Sequence, residues 1–179
     1  FVFNLAGVNR PKDEKEFMEG NFGFASTLLD TLKKYGNTCP VMLSSSIQAT
    51  LIGRYAQSDY GRSKLAGEKL FFAYGAQHKA KVLVPNLFGK WCCPNYNSVV
   101  ATFCYNIAND LPIQVNDPLM QLELLYIDDL VEEMIAALGG QEHHCEFDGG
   151  ETVLDEKGRY CAVPVRYKVT LGAIVEMLN

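Results

Sequence analysis

No apolar run in this 179-residue sequence approaches the roughly 20 residues that cross a bilayer, and no charged-apolar-small leader pattern stands among its first residues. No membrane association is therefore expected. Basic charge is in short supply: 16 Lys and Arg against 21 Asp and Glu leave a net charge of −5. That balance argues against nucleic acid or an anionic surface as partner. The six cysteines form no CxxC pair, since Cys39, Cys92, Cys93, Cys104, Cys145 and Cys161 are either adjacent or far apart. Adjacent Cys92-Cys93 cannot set two thiolates as a zinc knuckle does. His143-His144-Cys145 is the one metal-like cluster, and it reads more simply as a solvated turn before a strand, so no metal is expected. Thiols without a disulfide framework fit a cytoplasmic enzyme. Internal repeats and low-complexity tracts are also missing. What is present, 48% hydrophobic and 21% charged residues, suffices for one domain with a real core.

The apolar pattern alternates between short runs and helical periods. Phe1 to Leu5 reads as a strand and Gly7 to Pro11 as a loop. Glu14 to Lys34 reads as mostly helix, with Phe17, Phe22, Phe24, Leu28, Leu29 and Leu32 on its apolar side. Val41-Met42-Leu43, within Pro40 to Ser44, is apolar throughout, as in a buried parallel strand. A polar loop from Ser44 to Ser58 precedes a helix over Tyr60 to Gln77, with Leu65, Leu70, Phe71 and Tyr74 as its apolar side. Val82 to Val84 is the next strand and Pro85 to Asn97 a loop. Ser98 to Asp110 is a helix, Ile113 to Val115 a short strand, and Leu122 to Ile127 another. Asp128 is expected to cap a helix reaching Leu138. Cys145 to Gly150 and Tyr160 to Val165 read as strands joined through a turn at Asp155 to Gly158, and Val169 to Asn179 as a helix. Such alternation implies an α/β fold built on a doubly wound, mostly parallel sheet.

The chemistry concentrates at Tyr60-Gly61-Arg62-Ser63-Lys64, preceded by Ser44-Ser45-Ser46. Tyr60 and Lys64, four apart on a helix, stand on one face. An ammonium beside a phenol is expected to lower the phenol's pKa. A tyrosine tuned in this way passes a proton to or from a carbinol or carbonyl oxygen, and a hydroxyl from an upstream strand end holds that oxygen. Ser46 is the first choice for that hydroxyl and Ser45 the second. Lys64 is also placed to bind ribose hydroxyls. The alternative, a solvated helix face, does not account for the serine run and short loop in front of the motif.

Other positions carry weaker signals. Asn4-Leu5-Ala6-Gly7 ends a strand, where an open α/β sheet binds its ligand, and the small residues let a cofactor come close to the backbone. A tight turn would account for the same four residues. Asn21 is a poor mid-helix residue, which suits a role in holding a water or a lysine; a plain surface Asn is the alternative. Pro85 follows a strand and can wall a flat ring, although an ordinary loop is also consistent.

Together these residues resemble the extended short-chain dehydrogenase/reductase superfamily, the NAD(P)-dependent sugar-nucleotide epimerases, dehydratases and reductases. NLAG at Asn4, Asn21, SSS at Ser44, YGRSK at Tyr60, PNLFG at Pro85 and YIDD at Tyr126 fall in that family's order and at about its spacing. AGVNRP from Ala6, LSSSIQAT from Leu43, PNLFGKW from Pro85 and KVTLGAIV from Lys168 are similar to the branch that reduces a UDP-4-keto-6-deoxy-N-acetylhexosamine in capsular polysaccharide synthesis.

The resemblance implies a Rossmann-like fold, NADP or NAD as cofactor, a UDP-sugar substrate and a homodimer. It implies Ser46, Tyr60, Lys64 and Asn21 as catalytic residues, with Asn21 linking Lys64 to a relay water. Leu5, Ala6, Gly7, Ser44, Tyr60, Lys64 and Pro85 would line the cofactor; Ser46, Asn86, Lys90 and Arg10 would meet the substrate. The substrate part is expected mainly at 85–125 and 140–179. The family's glycine-rich loop belongs before Phe1, and its C-terminal cupin domain after Asn179, so a piece of a longer protein is expected. An arginine common in the family near the YIDD strand is replaced by Leu122 and Glu123, with Lys90, Arg10 or Arg166 as substitutes. A 4-epimerase or dehydratase is the alternative activity; Ile47-Gln48 after Ser46, in place of a carboxylate pair, counts against dehydration. A nucleotide-binding domain without turnover is the non-enzymatic alternative.

Overall fold

Val41-Met42-Leu43 is an interior strand of the larger sheet, all three residues being buried, as an uninterrupted apolar run predicts. The structure, a computed structural model, describes residues 1–178; Asn179, the end of the helix expected from Val169, lies outside the described residues. The order is β1 (Val2–Asn4), α1 (Lys15–Phe17), a π-helical turn (Met18–Gly23), α2 (Phe24–Lys34), β2 (Val41–Ser44), 3₁₀ turns at Ile47–Thr50 and Gly53–Tyr55, α3 (Asp59–Gly75) and β3 (Ala80–Leu83). There follow β4 (Leu87–Phe88), α4 (Val99–Ala108), β5 (Gln121–Tyr126), α5 (Ile127–Leu138), β6 (His143–Asp148), β7 (Glu151–Leu154), β8 (Tyr160–Ala162), β9 (Tyr167–Thr170) and α6 (Leu171–Leu178).

The chain forms two units, one of Phe1–Pro85 with Ala137–Ala162, the other of Asn86–Ala136 with the stretch from Val163. In the first, the sheet order is β1-β2-β3-β8-β6-β7. Pairings from β1 to β8 are parallel, and β6 and β7 continue the sheet antiparallel. Its core joins Ala25, Leu29 and Leu32 of α2 and Phe71 and Tyr74 of α3 to Val41, Leu43, Val82 and Val84. The second unit has a three-stranded sheet, β4-β5-β9, and a core of Phe103, Leu124 and Ile174. No helix among the described residues is long and apolar enough to cross a membrane.

Several expectations are corrected. Residues 140–162, expected with the substrate part, join the first unit's sheet through β6, β7 and β8. The helix over Glu14 to Lys34 is interrupted by the π-helical turn, whose extra residue per turn shifts the helical phase. Asn21 thereby faces inward and Phe24, expected on the apolar side, is exposed. Ile113 to Val115 forms no strand; Ile113 and Val115 instead pack their side chains on the second unit's core. The helix at Asp128 already begins at Ile127, so Asp128 sits in the first turn, where its charge suits the helix dipole, rather than at the cap. The turn at Asp155 to Gly158 leads from β7 to β8, because Glu151–Leu154 forms a strand not foreseen, hairpinned to β6 through Gly149 and Gly150 at φ +56° and +91°.

Candidate active site

The parallel register decides which residues share an edge. Asn4 pairs with Leu43 and Ser44 with Leu83, so Leu5-Ala6-Gly7, Ser45-Ser46 and Pro85 all leave the carboxyl ends of adjacent strands. This is where open α/β sheets bind ligands. Leu5, Ala6 and Gly7 are exposed there, and Pro85 is half-buried.

Ser46 is extended and starts the 3₁₀ turn, its hydroxyl accepting from Gln48 N–H at 3.3 Å. Ser58 caps α3, accepting from Gly61 N–H at 2.9 Å and donating to Gln48 Oε1 at 2.8 Å. The helix start and the 3₁₀ turn are thus tied together. Their closeness requires Gly61, where a Cβ would fall 2.3 Å from the Gln48 carbonyl oxygen. The result is a hydrogen bond between Ser46 and Tyr60.

Lys64 is buried one turn further along and donates from Nζ to the Ser44 carbonyl at 3.0 Å. Its Nζ lies 5.8 Å from the Tyr60 ring centroid. Burial pulls the ammonium's pKa below its ordinary value, with the Glu68 charge pushing the other way. For Tyr60 the direction differs from the sequence expectation. Burial raises the phenol pKa, and the Ser46 hydrogen bond offsets only part of that. The Lys64 ammonium, which donates to the Ser44 carbonyl, does not reverse that rise.

Asn21 is held at three points. Its Oδ1 accepts from Val8 N–H at 2.9 Å, and its Nδ2 donates to Val8 O and to Ser63 Oγ, both at 2.9 Å. Ser63 in turn donates to the Tyr60 carbonyl at 2.7 Å. Asn21 therefore ties the loop after β1 to the Tyr60 helix. A Cβ at Gly7 would lie 2.9 Å from Asn21 Oδ1 and 3.0 Å from Lys64 Nζ, so this loop passes directly over the lysine.

Ser46, Tyr60, Lys64, Asn21, Ser44 and Gly7 are brought together; Leu5 and Ala6 lie on the same loop. Arg10 is exposed further along it. Asn86 and Lys90 belong to the second unit: Asn86 donates to the Glu123 carbonyl at 2.8 Å, and Lys90 pairs with Asp128 at 2.8 Å. Arg166 pairs with Glu123 at 2.6 Å. Sequence reasoning missed Ser63, Val8, Glu68 and Tyr160. Glu68 was open to detection, four residues beyond Lys64 on the same stripe; Tyr160, 92 residues from its partner Glu68, was not.

A family model described as the NAD dependent epimerase/dehydratase family matches residues 1–146. The chain belongs to the NAD-dependent epimerase/dehydratase family. A relative from Pseudomonas aeruginosa, a UDP-2-acetamido-2,6-beta-L-arabino-hexul-4-ose reductase, is 41% identical over 144 residues, covering 79% of this chain and 37% of that protein. The crystal structure of the capsular polysaccharide assembling protein CapF from Staphylococcus aureus superposes with a TM-score of 0.75 at 44% identity, over 99% of this chain and 44% of CapF. A UDP-glucuronic acid 4-epimerase from Bacillus cereus, in complex with NAD, shares the fold at 21% identity and a TM-score of 0.66, over 77% of this chain and 49% of that one. The chain thus spans under half the length of these relatives.

Membership implies a nicotinamide dinucleotide, and the residues fit one. The edge carries an ammonium, a phenol and a hydroxyl beneath a loop bare of side chain at Gly7. Asn4 Oδ1, buried at the end of β1, has no hydrogen-bond partner.

Proposed function

We propose that the protein containing this chain reduces the C4 ketone of a UDP-4-keto-6-deoxy-N-acetylhexosamine, in the supply of capsular polysaccharide precursors. The observation that carries the reading is the Ser46–Tyr60–Lys64 arrangement in a chain 41% identical to a UDP-hexulose reductase. Lys64, Gly7 and Ser44 would hold the nicotinamide-ribose end of NADPH or NADH, with Pro85 beside the ring. When bound, that cofactor supplies the hydride, and with it the two electrons of the reduction. The chain's own residues handle the proton. A phenol whose pKa is raised keeps its proton at neutral pH, so Tyr60 acts as the acid toward the carbonyl oxygen. Ser46 holds that oxygen by a hydrogen bond that strengthens as negative charge develops. Asn86, Lys90 and Arg10 are assigned to the UDP-sugar. A cytoplasmic homodimer completes the reading.

The test follows NADPH and NADH absorbance with full-length protein and the UDP-4-keto sugar, wild type against Tyr60→Phe. Oxidation that disappears in the variant supports the reading and names the cofactor. A sugar nucleotide changed only in stereochemistry, with no net oxidation, would replace reduction by epimerisation.

A further inference from the structure

Glu68 is 2% exposed on α3, a charged side chain buried beside the hydrophobic core. A buried carboxylate is costly unless its oxygens are satisfied and its charge is balanced. Both oxygens are used: Ser45 Oγ donates to Oε1, and Tyr160 O–H donates to Oε2 at 3.2 Å. The two donors come from different parts of the sheet edge, Ser45 from just after β2 and Tyr160 from β8. Ser45 is also the middle of the serine run. Its neighbour Ser44 offers the carbonyl that takes Lys64 Nζ, and its neighbour Ser46 offers the hydroxyl that meets Tyr60. One bond from Glu68 to Ser45 therefore fixes the register between this strand end and the helix that carries both Tyr60 and Lys64.

We propose that Glu68 is a positioning residue of this site, which anchors the Ser44–Ser46 segment on α3 and sets a negative charge one helical turn from the buried Lys64 ammonium. The kinetic part rests on the proposed reading of Tyr60 and Lys64; the electrostatic part does not. Glu68 lies one helical turn beyond Lys64, and its charge opposes the loss of the Lys64 proton that burial favours. Facing Glu68 are Lys64 from α3, Tyr160 from β8, Arg159 just before β8, and the neutral Ser45 hydroxyl just after β2. Arg159 is itself paired with Glu146 of β6 at 2.9 Å. Burial pushes the Glu68 carboxyl pKa up, while Ser45, Tyr160, Lys64 and Arg159 each favour the carboxylate. A carboxylate accepting from two hydroxyls is the state this geometry suits.

The experiment titrates Lys64 by NMR of lysine labelled at Cε, in full-length wild type, Glu68→Gln, Glu68→Asp and Ser45→Ala, beside pH profiles of kcat. Glu68→Gln keeps the shape and removes the charge. It is expected to move the Lys64 titration to lower pH and to lower kcat about 10- to 100-fold, the alkaline limb of the profile moving the same way. Glu68→Asp, which keeps the charge, is expected to move Lys64 by less. Ser45→Ala is expected to lower kcat while leaving the Lys64 titration near wild type. A merely structural role would lower kcat without moving the titration. Lys64 titrating alike in wild type and Glu68→Gln overturns the electrostatic role, and wild-type kcat in Ser45→Ala overturns the anchoring role. Should Glu68→Gln fail to fold, Ser45→Ala decides the anchoring role, and a Lys64 titration in Glu68→Asp identical to wild type overturns the electrostatic one. A wild type that never oxidises the nicotinamide would sink the proposed function, while the titration would still judge Glu68.

Discussion

Helices α2 and α3 pack on the same core, yet they bury opposite kinds of residue. The α2 helix buries Ala25, Leu29 and Leu32, one apolar stripe against the sheet. The α3 helix buries Gly61, Ser63, Lys64, Gly67 and Glu68 before it reaches Phe71 and Tyr74. Burying an ammonium and a carboxylate costs free energy that an apolar stripe would not. In α3 this cost is tolerated because each group has a partner: Ser44 for Lys64, Ser45 and Tyr160 for Glu68, Asn21 for Ser63. The contrast teaches where chemistry sits in this molecule. One helix holds the sheet together, and the other gives up apolar packing in its first turns to hold the proposed proton-transfer site.

The sharpest way to break the comparison is at Tyr60. Tyr60→Phe should lower kcat by about 10²- to 10⁴-fold, with dinucleotide binding retained and the unfolding midpoint nearly unchanged. Steady-state kinetics beside cofactor titration measure this. Leu29→Ala on α2 should do the reverse, costing about 2–5 kcal/mol in urea unfolding with no change in the pH profile of the folded enzyme. A pH shift in that variant would mean that the two helices are not functionally separate.

Gly61→Ala should fall between the two. Its new Cβ would meet the Gln48 carbonyl oxygen at 2.3 Å, so the backbone must shift. A loss of about 1–3 kcal/mol is expected, together with a fall in kcat as Ser46 and Tyr60 separate. Unfolding curves and kinetics on one preparation would read both, and an unchanged kcat would show that the helix-to-turn contact does not set the Ser46–Tyr60 pairing.

The smallest effect is in the pH dependence of stability. Burial raises the phenol pKa of Tyr60 and Tyr74 above 10.0, so above that pH the folded state binds more protons than the unfolded one. Stability contributed by these groups is complete below their unfolded pKa and is lost as pH rises through the folded one. Lys64 has the opposite sign. Its folded pKa lies below 10.5, so the unfolded state binds more protons and stability rises with pH toward that value. Urea unfolding across the alkaline range should therefore show a shallower alkaline fall in Tyr60→Phe and a lost rise in Lys64→Met. Identical slopes in all three proteins would mean that neither group is perturbed.

Much of this was legible in the residues. Val41-Met42-Leu43 reads as a buried parallel strand and is one, and the Tyr60–Lys64 spacing puts both groups on one helix face. The reading faltered where a local irregularity shifted phase. The π-helical turn at Met18–Gly23 carries no composition signal, so Phe24 was assigned inward although it is exposed. The α3 apolar side was drawn through Leu65 and Leu70, which are only partly buried, because a reading by hydropathy does not expect Lys64 and Glu68 to lie inside. The strand Glu151–Leu154 is not evident from its residues, because Glu-Thr-Val-Leu does not alternate apolar with polar and Val153 and Leu154 lie exposed at the sheet edge.

The sequence by itself determined the elements and the chemical kit: alternating strands and helices, a serine run, and a Tyr and Lys one turn apart. These follow from periodicities of two and 3.6 residues, which are local properties of the chain. The tertiary structure decided the protonation logic. Whether the Tyr60 pKa rises or falls, and whether Glu68 is a surface charge or a buried one, depends on burial and on partners up to 92 residues away. Desolvation and hydrogen bonding act through space, and no spacing along the chain encodes them.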